Sequence, residues 1–205
     1  LLSLGRGGRA APRRALSPLS HLLLPYPLSP LKVAATKGLD VILVDPSPAA
    51  LDRGTSAVQR SLARSVNRGH LSSSDADAAL GRITRAAELD ALAGAEFVVE
   101  AAPEDEALKR SIFARLDGVV SSPTAILASN TSSISITRLG AATRRPGNVV
   151  GLHWMHPAHV MPLVELVRGI DTTDETAARA ADLAAALGKT VTRSADRPGF
   201  IVNRA

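Results

Sequence analysis

Residues Leu39-Asp40-Val41-Ile42-Leu43-Val44-Asp45 form a near-continuous apolar run that ends in an acid. A strand with one wet face alternates apolar and polar residues. This run hardly does, so it reads as a strand buried on both faces of a parallel sheet. Before it, Lys32 to Lys37 reads as the last turns of a helix with Gly38 as its C-cap. After it, Ser47 and Pro48 open a helix that carries Leu51, Val58, Leu62 and Val66 on one stripe.

The same grammar continues down the chain. Ser72 to Ser74 cap a shorter helix through Leu80, Ile83–Thr84 reads as a short strand, and a helical turn is expected near Glu88–Ala93. Glu96 to Ala101 is a second buried strand, Glu104 to Leu116 a helix, Thr124 to Ser129 a strand, and Ile134 to Leu139 the start of a short helix. Val149–His153 is a strand, Leu163 to Val167 another, Thr173 to Leu187 an alanine-rich helix stopped by Gly188, and Lys189 to Arg193 a last short strand. Strands alternating with helices give an α/β fold: a Rossmann-like, mostly parallel sheet with helices on both faces. Ligands of such sheets sit at the carboxyl ends of the strands. Asp45, the Glu100–Glu104 turn, Ser129-Asn130-Thr131-Ser132 and His153 end strands, so they are expected to line one crevice.

Composition narrows the function classes. The 205 residues are 45% apolar, enough for one domain with a real core. Without cysteine, disulfides, thiolate metal sites and a cysteine nucleophile are excluded. No apolar run approaches the ~18 residues of a membrane-spanning helix. The net charge is +5, and residues 1–32 carry all of it in Arg6, Arg9, Arg13, Arg14 and Lys32. The remaining nineteen basic side chains balance the nineteen acids, so the body has no footprint for a nucleic-acid backbone. Residues 1–31 differ from the rest: five prolines, leucine pairs, arginines without acids and no sustained period. They are expected to be poorly ordered and to stand outside a domain of residues 32–205. Their composition resembles an organelle transit peptide, which leaves mitochondrial, peroxisomal and cytoplasmic locations open.

The candidate chemistry centres on Gly151 to Glu165, GLHWMHPAHVMPLVE. One strand delivers His153 to its end, prolines 157 and 162 break the backbone, and the next strand carries Glu165 opposite Val164 and Leu166. A strand, a turn and a strand can set the two side by side. An imidazole oriented by a carboxylate is the minimum kit for a general base. The alternative is a buried histidine bonded to a backbone carbonyl and a solvent-facing glutamate. Asp45, at a strand end, can take both ribose hydroxyls of adenosine and repel a 2′-phosphate, favouring NAD over NADP, or it can cap a helix. The Ser129–Ser133 cluster can bond ligand oxygens or simply cap a turn. His153, His156 and His159 with Glu165 have zinc-ligand chemistry. Pro157 prevents a regular helix there, and strand spacing points them to different faces, so no metal site is expected.

Three ordered stretches, ILASNTSSISIT (126–137), GLHWMHP with VMPLVELVRG (151–169), and LGKTV with DRPGFIVNR (187–204), resemble the NAD-binding domain of the 3-hydroxyacyl-CoA dehydrogenase family. The resemblance runs from about Val33 to Ala205 and is nearest to the short-chain 3-hydroxybutyryl-CoA type. It implies an NAD-dependent oxidoreductase of fatty acid metabolism that interconverts (S)-3-hydroxyacyl-CoA and 3-ketoacyl-CoA. By position it makes His153 the general base, Glu165 its orienting carboxylate, Ser132 a hydrogen-bond partner of substrate and cofactor, and Asn203 an assisting asparagine. Asp45, Glu104, Lys109 and His156 fall at cofactor positions, His156 where the family has asparagine. Ser61 and Arg68 fall at coenzyme A positions, Arg68 where lysine is usual.

The family opens with a strand and a glycine-rich loop just before the segment matching Val33. Here that place holds Leu22-Leu23-Leu24-Pro25-Tyr26-Pro27, so the first strand is expected to be atypical or missing and the phosphate cradle absent. The chain also ends at Ala205, where the family continues into a helical domain that completes the cleft and the homodimer. The second expectation is therefore a catalytically inactive, truncated remnant that acts, if at all, by binding a homologue.

Overall fold

The apolar runs become strands because their backbone groups pair with neighbouring strands while their side chains leave water on both sides. The computed structural model describes residues 20–23, 29–155 and 161–202. Among them, eight strands form one sheet: β1 (Ser20–Leu23), β2 (Val41–Val44), β3 (Ile83–Ala86), β4 (Phe97–Glu100), β5 (Ile126–Ser129), β6 (Val149–Trp154), β7 (Leu163–Arg168) and β8 (Thr190–Ala195). Their order is β3-β2-β1-β4-β5-β6-β7-β8. The first six are parallel, β7 runs antiparallel to β6, and β8 is parallel to β7. Every residue of β4, β5 and β6 is buried, as a sheet covered on both faces requires.

The expectation of an atypical or missing first strand resolves to the atypical form. Ser20–Leu23 lies between β2 and β4, pairing His21 with Ile42 and Val98. Left empty, that slot would orphan the facing amides and carbonyls of two buried strands. This draws part of the segment expected to stand apart into the centre of the sheet. The first helix, α1 (Ser29–Thr36), likewise begins before residue 32. Residues 1–19 and 24–28 lie outside the described residues.

The other helices are α2 (Pro48–Asn67), α3 (Ser73–Gly81), α4 (Glu106–Val119), α5 (Ile136–Gly140) and α6 (Asp174–Ala186). The side chains of Ser47, Ser72, Asp105, Ser135 and Thr173 accept amide hydrogens at their N-termini, each cap contributing about 1 kcal/mol. Gly38, at φ 86°, ends α1 in the left-handed region. One boundary differs from expectation in a way that matters. Asp105 caps α4, so Glu104 stands in the turn before the helix rather than inside it. At α5, two glycines allow close approach. A Cβ on Gly151 would lie 2.8 Å from Val167 Cβ and 2.9 Å from Ile136 Cδ1, and one on Gly169 would lie 2.9 Å from the amide of Thr137. The helix therefore rests directly on the middle of β6 and the end of β7.

Candidate active site at the carboxyl edge of the sheet

The strand order reverses between β1 and β4, and the crevice beyond their carboxyl ends is where a parallel sheet of this order receives its ligand. Asp45 leaves β2 on one side of that point. Glu100, Ser129 and His153 lie at or near the ends of β4, β5 and β6 on the other. From β2 to β6 is four strand spacings, about 19 Å, a span for an extended ligand.

His153 and Glu165 face each other across the β6–β7 pair, in register. His153 Nδ1 lies 2.8 Å from Glu165 Oε2. The other carboxylate oxygen accepts the N–H groups of Ile201 and Val202 at 2.9 and 3.0 Å. Glu165 is 0% exposed. Burial pushes its carboxyl up, but the hydrogen bonds from His153, Val202 and Ile201 outweigh this and hold it below the usual carboxylate range. An ionised Glu165 only accepts, so the shared proton sits on His153 Nδ1, and in the neutral imidazole the acceptor is then Nε2. The Phe200 ring, buried and with its centroid 5.8 Å from that of His153, covers the imidazole. The side-by-side arrangement expected from the sequence is thus present, and Glu165 is fully buried rather than solvent-facing.

Ser132 stands in the loop after β5, next to β6. Asn130 Oδ1 in that loop accepts the Trp154 N–H at 2.9 Å, tying the loop to the end of the strand that carries His153. Glu104 reaches into the same loop. Its Oε1 receives the hydroxyl of Thr131, the amide and hydroxyl of Ser132 (2.9 and 3.2 Å) and the amide and hydroxyl of Ser133 (3.2 and 3.1 Å). Burial raises the Glu104 carboxyl, but these bonds and the charge of Lys109 prevail and hold it below its ordinary range.

Lys109 is 1% exposed. Its ammonium donates to Glu100 Oε1 at 2.7 Å and Ala102 O at 2.9 Å, and lies 3.5 Å from Glu104 Oε2. Ser129 Oγ closes the network on Glu100 Oε2 at 2.6 Å. Of the two residues expected at cofactor positions, Lys109 points into the protein, whereas Glu104, its side chain 39% exposed, braces the serine loop at the surface. Direct contact by Lys109 would require it to give up buried partners. The apolar grammar of β4 concealed the network. Its signal was Glu100 itself, an acid at the end of a strand buried on both faces, which needs a counter-ion.

Asp45 is buried, and its Oδ1 accepts the Ser47 N–H at 2.8 Å. The helix cap itself is Ser47, whose hydroxyl accepts from Ala50. Ser61 and Arg68 lie seven residues apart on one face of α2, at its middle and C-cap. At 1.5 Å per residue they are about 20 and 30 Å along a helix that runs away from the carboxyl edge, so they do not join the His153 cluster. Lys32 donates to Ser61 O and Ser65 Oγ beside them. His156, His159 and Asn203 lie outside the described residues. No group of three metal-ligating side chains converges among the described residues.

Comparison with known proteins decides the assignment. Residues 30–197 match 3-hydroxyacyl-CoA dehydrogenase, NAD binding domain. The chain belongs to the 3-hydroxyacyl-CoA dehydrogenase family. It is 45% identical over 173 residues to a 3-hydroxybutyryl-CoA dehydrogenase of Mycobacterium tuberculosis, covering 84% of this chain and 60% of that one. A 3-hydroxybutyryl-CoA dehydrogenase of Bradyrhizobium diazoefficiens is 48% identical over 172 residues, 84% of this chain and 58% of the relative. The crystal structure of an (S)-3-hydroxybutyryl-CoA dehydrogenase from Ralstonia eutropha superposes with a TM-score of 0.86 at 39% identity, covering 90% of this chain and 66% of that one. The chain therefore spans about 60% of the length of the curated dehydrogenases it matches. The matched part is the dehydrogenase's NAD-binding domain.

Proposed function

We propose that this chain supplies the cofactor-binding half and the proton-transfer pair of an NAD-dependent (S)-3-hydroxyacyl-CoA dehydrogenase. The observation that carries the reading is the His153–Glu165 pair at the carboxyl edge, its tautomer set by a buried carboxylate. His153 Nε2 takes the proton of the substrate's 3-hydroxyl, and Glu165 stabilises the imidazolium that results. Ser132 holds the substrate's oxygen, and Asn203 assists. Bound NAD supplies the acceptor for the hydride that leaves C3. In reverse, His153 returns the proton as the 3-ketone is reduced. The relatives named above support a short acyl chain, of 3-hydroxybutyryl-CoA size. Ser61 and Arg68 are assigned to the coenzyme A end, where a guanidinium suits a phosphate. The family's homodimer is the expected assembly.

The residues fit the two ends of the cofactor better than its middle. A buried carboxylate at the end of β2 suits a ribose diol. The segment Leu24-Pro25-Tyr26-Pro27-Leu28 contains no glycine, and two of its five residues have no N–H to offer a pyrophosphate. That observation favours a second reading: a non-catalytic relative that keeps the fold and acts by pairing with a homologue. Titration with NADH separates them. The first reading predicts saturable binding, weakened by Asp45→Arg. The second predicts none up to millimolar NADH.

A further inference from the structure

The segment after β8 joins both halves of the site. At its start, Asp196 accepts four hydrogen bonds: from Ser135 Oγ at 2.8 Å, the Ile136 N–H at 2.9 Å, the Thr137 N–H at 2.9 Å and Thr137 Oγ1 at 2.6 Å. These donors form the first turn of α5, three to five residues after Ser132. At its other end, Ile201 and Val202 give their amides to Glu165. Between the two, Gly199 (φ 79°) and Phe200 (φ 46°) take consecutive left-handed conformations. A bulky residue at positive φ persists only where its surroundings over-determine it. Here the surroundings are the Asp196 anchor on one side and the Glu165 anchor on the other. Phe200 is thereby laid over His153.

We infer that Asp196 is a positioning residue for the proton-transfer pair, acting through the strap 196–202 that it fixes to α5. It touches neither His153 nor Glu165. By anchoring the strap on the helix that follows the serine loop, it keeps the Ile201 and Val202 amides on Glu165 and the Phe200 ring on His153. The two glycines beneath α5, Gly151 and Gly169, make the anchor firm because the helix rests on backbone. The functional meaning of this role rests on the dehydrogenase reading. The structural claim does not, and its test needs no turnover.

The test is amide hydrogen exchange with NMR of the His153 ring proton, on the 205-residue chain and its Asp196→Asn variant. The expected result is exchange faster by about tenfold or more at Ile136, Thr137, Ile201 and Val202, with Val98 and Val99 in β4 unchanged. The Nδ1–H resonance of His153 broadens at the same time. Faster exchange at Ile136 and Thr137 with Ile201 and Val202 untouched would overturn the inference, because Asp196 would then be only a cap of α5. Should Val98 and Val99 also quicken, the milder Thr137→Val variant decides. It removes one of the four donors and is expected to speed Ile201 and Val202 by about threefold. No change there overturns the inference. If the anchor holds but NADH does not bind, the functional reading fails and the inference stands.

Discussion

Replacing Glu165 by glutamine should invert the tautomer of His153. The glutamine keeps the size of the side chain and an oxygen for the amides of Ile201 and Val202, 2.9 and 3.0 Å away. Its NH2 then faces His153 Nδ1, where the carboxylate oxygen lay at 2.8 Å. Two donors cannot face each other, so the imidazole must move its proton to Nε2. Three hydrogen bonds lose their charge, at roughly 1 kcal/mol each. Removing a buried charge returns part of that. The net cost is about 1–2 kcal/mol, a fall of about 2–8 °C in Tm for a domain of this size. Nε2 can no longer accept a proton, and the corresponding change in serine-protease triads costs about 10⁴ in kcat. The assay is heteronuclear NMR of the imidazole nitrogens at neutral pH, with thermal denaturation alongside. Nδ1–H is expected in the parent chain and Nε2–H in the variant. A variant that folds and retains Nδ1–H would refute the reasoning.

Three further outcomes follow from the same structure. Gly151→Ala forces a Cβ against Val167 and Ile136 and should destabilise by about 1–3 kcal/mol, part of it recovered by Ile136→Val, which removes the Cδ1 in the way; unchanged denaturation midpoints would contradict the packing argument. Lys109→Met leaves Glu100 buried without its counter-ion and should cost about 3–5 kcal/mol, most of it recovered when Glu100→Gln is added; urea unfolding of the single and double variants checks this. Glu104, Glu165, Asp196 and Asp117, an α4 residue held by the Arg144 and Arg145 guanidinium groups, all titrate below their ordinary range when folded. Their stabilisation is complete above the unfolded value, about pH 4, and disappears as pH falls through the folded values, so Tm should drop steeply on the acid side of pH 4 and little above it.

The parts of the fold that could be read from the chain were those decided by neighbours in sequence. Runs such as Val41–Val44 and Phe97–Glu100 became strands at nearly their expected bounds, and Ser47 and Ser72 capped the helices they preceded. What stayed hidden depended on partners far along the chain. Ser20–Leu23 is too short and too close to prolines to announce a strand, and takes that role because β2 and β4 need a partner between them. The antiparallel register that sets His153 against Glu165 matched the expectation from one strand, one turn and one strand. The bonding of Glu104 to the serine loop and the burial of Lys109 depend on Thr131, Ser133 and Glu100, which spacing along the sequence does not connect. Asp196 lay inside the stretch that carried the family resemblance. An acid two residues before Pro-Gly at the end of a strand was the available signal for an anchor, but its partners lie about sixty residues upstream.

The central claim is that the His153–Glu165 pair moves the proton in an NAD-linked interconversion of hydroxyacyl and ketoacyl thioesters. Its most direct test is the rate of acetoacetyl-CoA reduction by NADH, followed at the nicotinamide absorbance, for the chain and for His153→Ala. A measurable rate that the substitution abolishes is the expected result. Equal rates in the two proteins would contradict it.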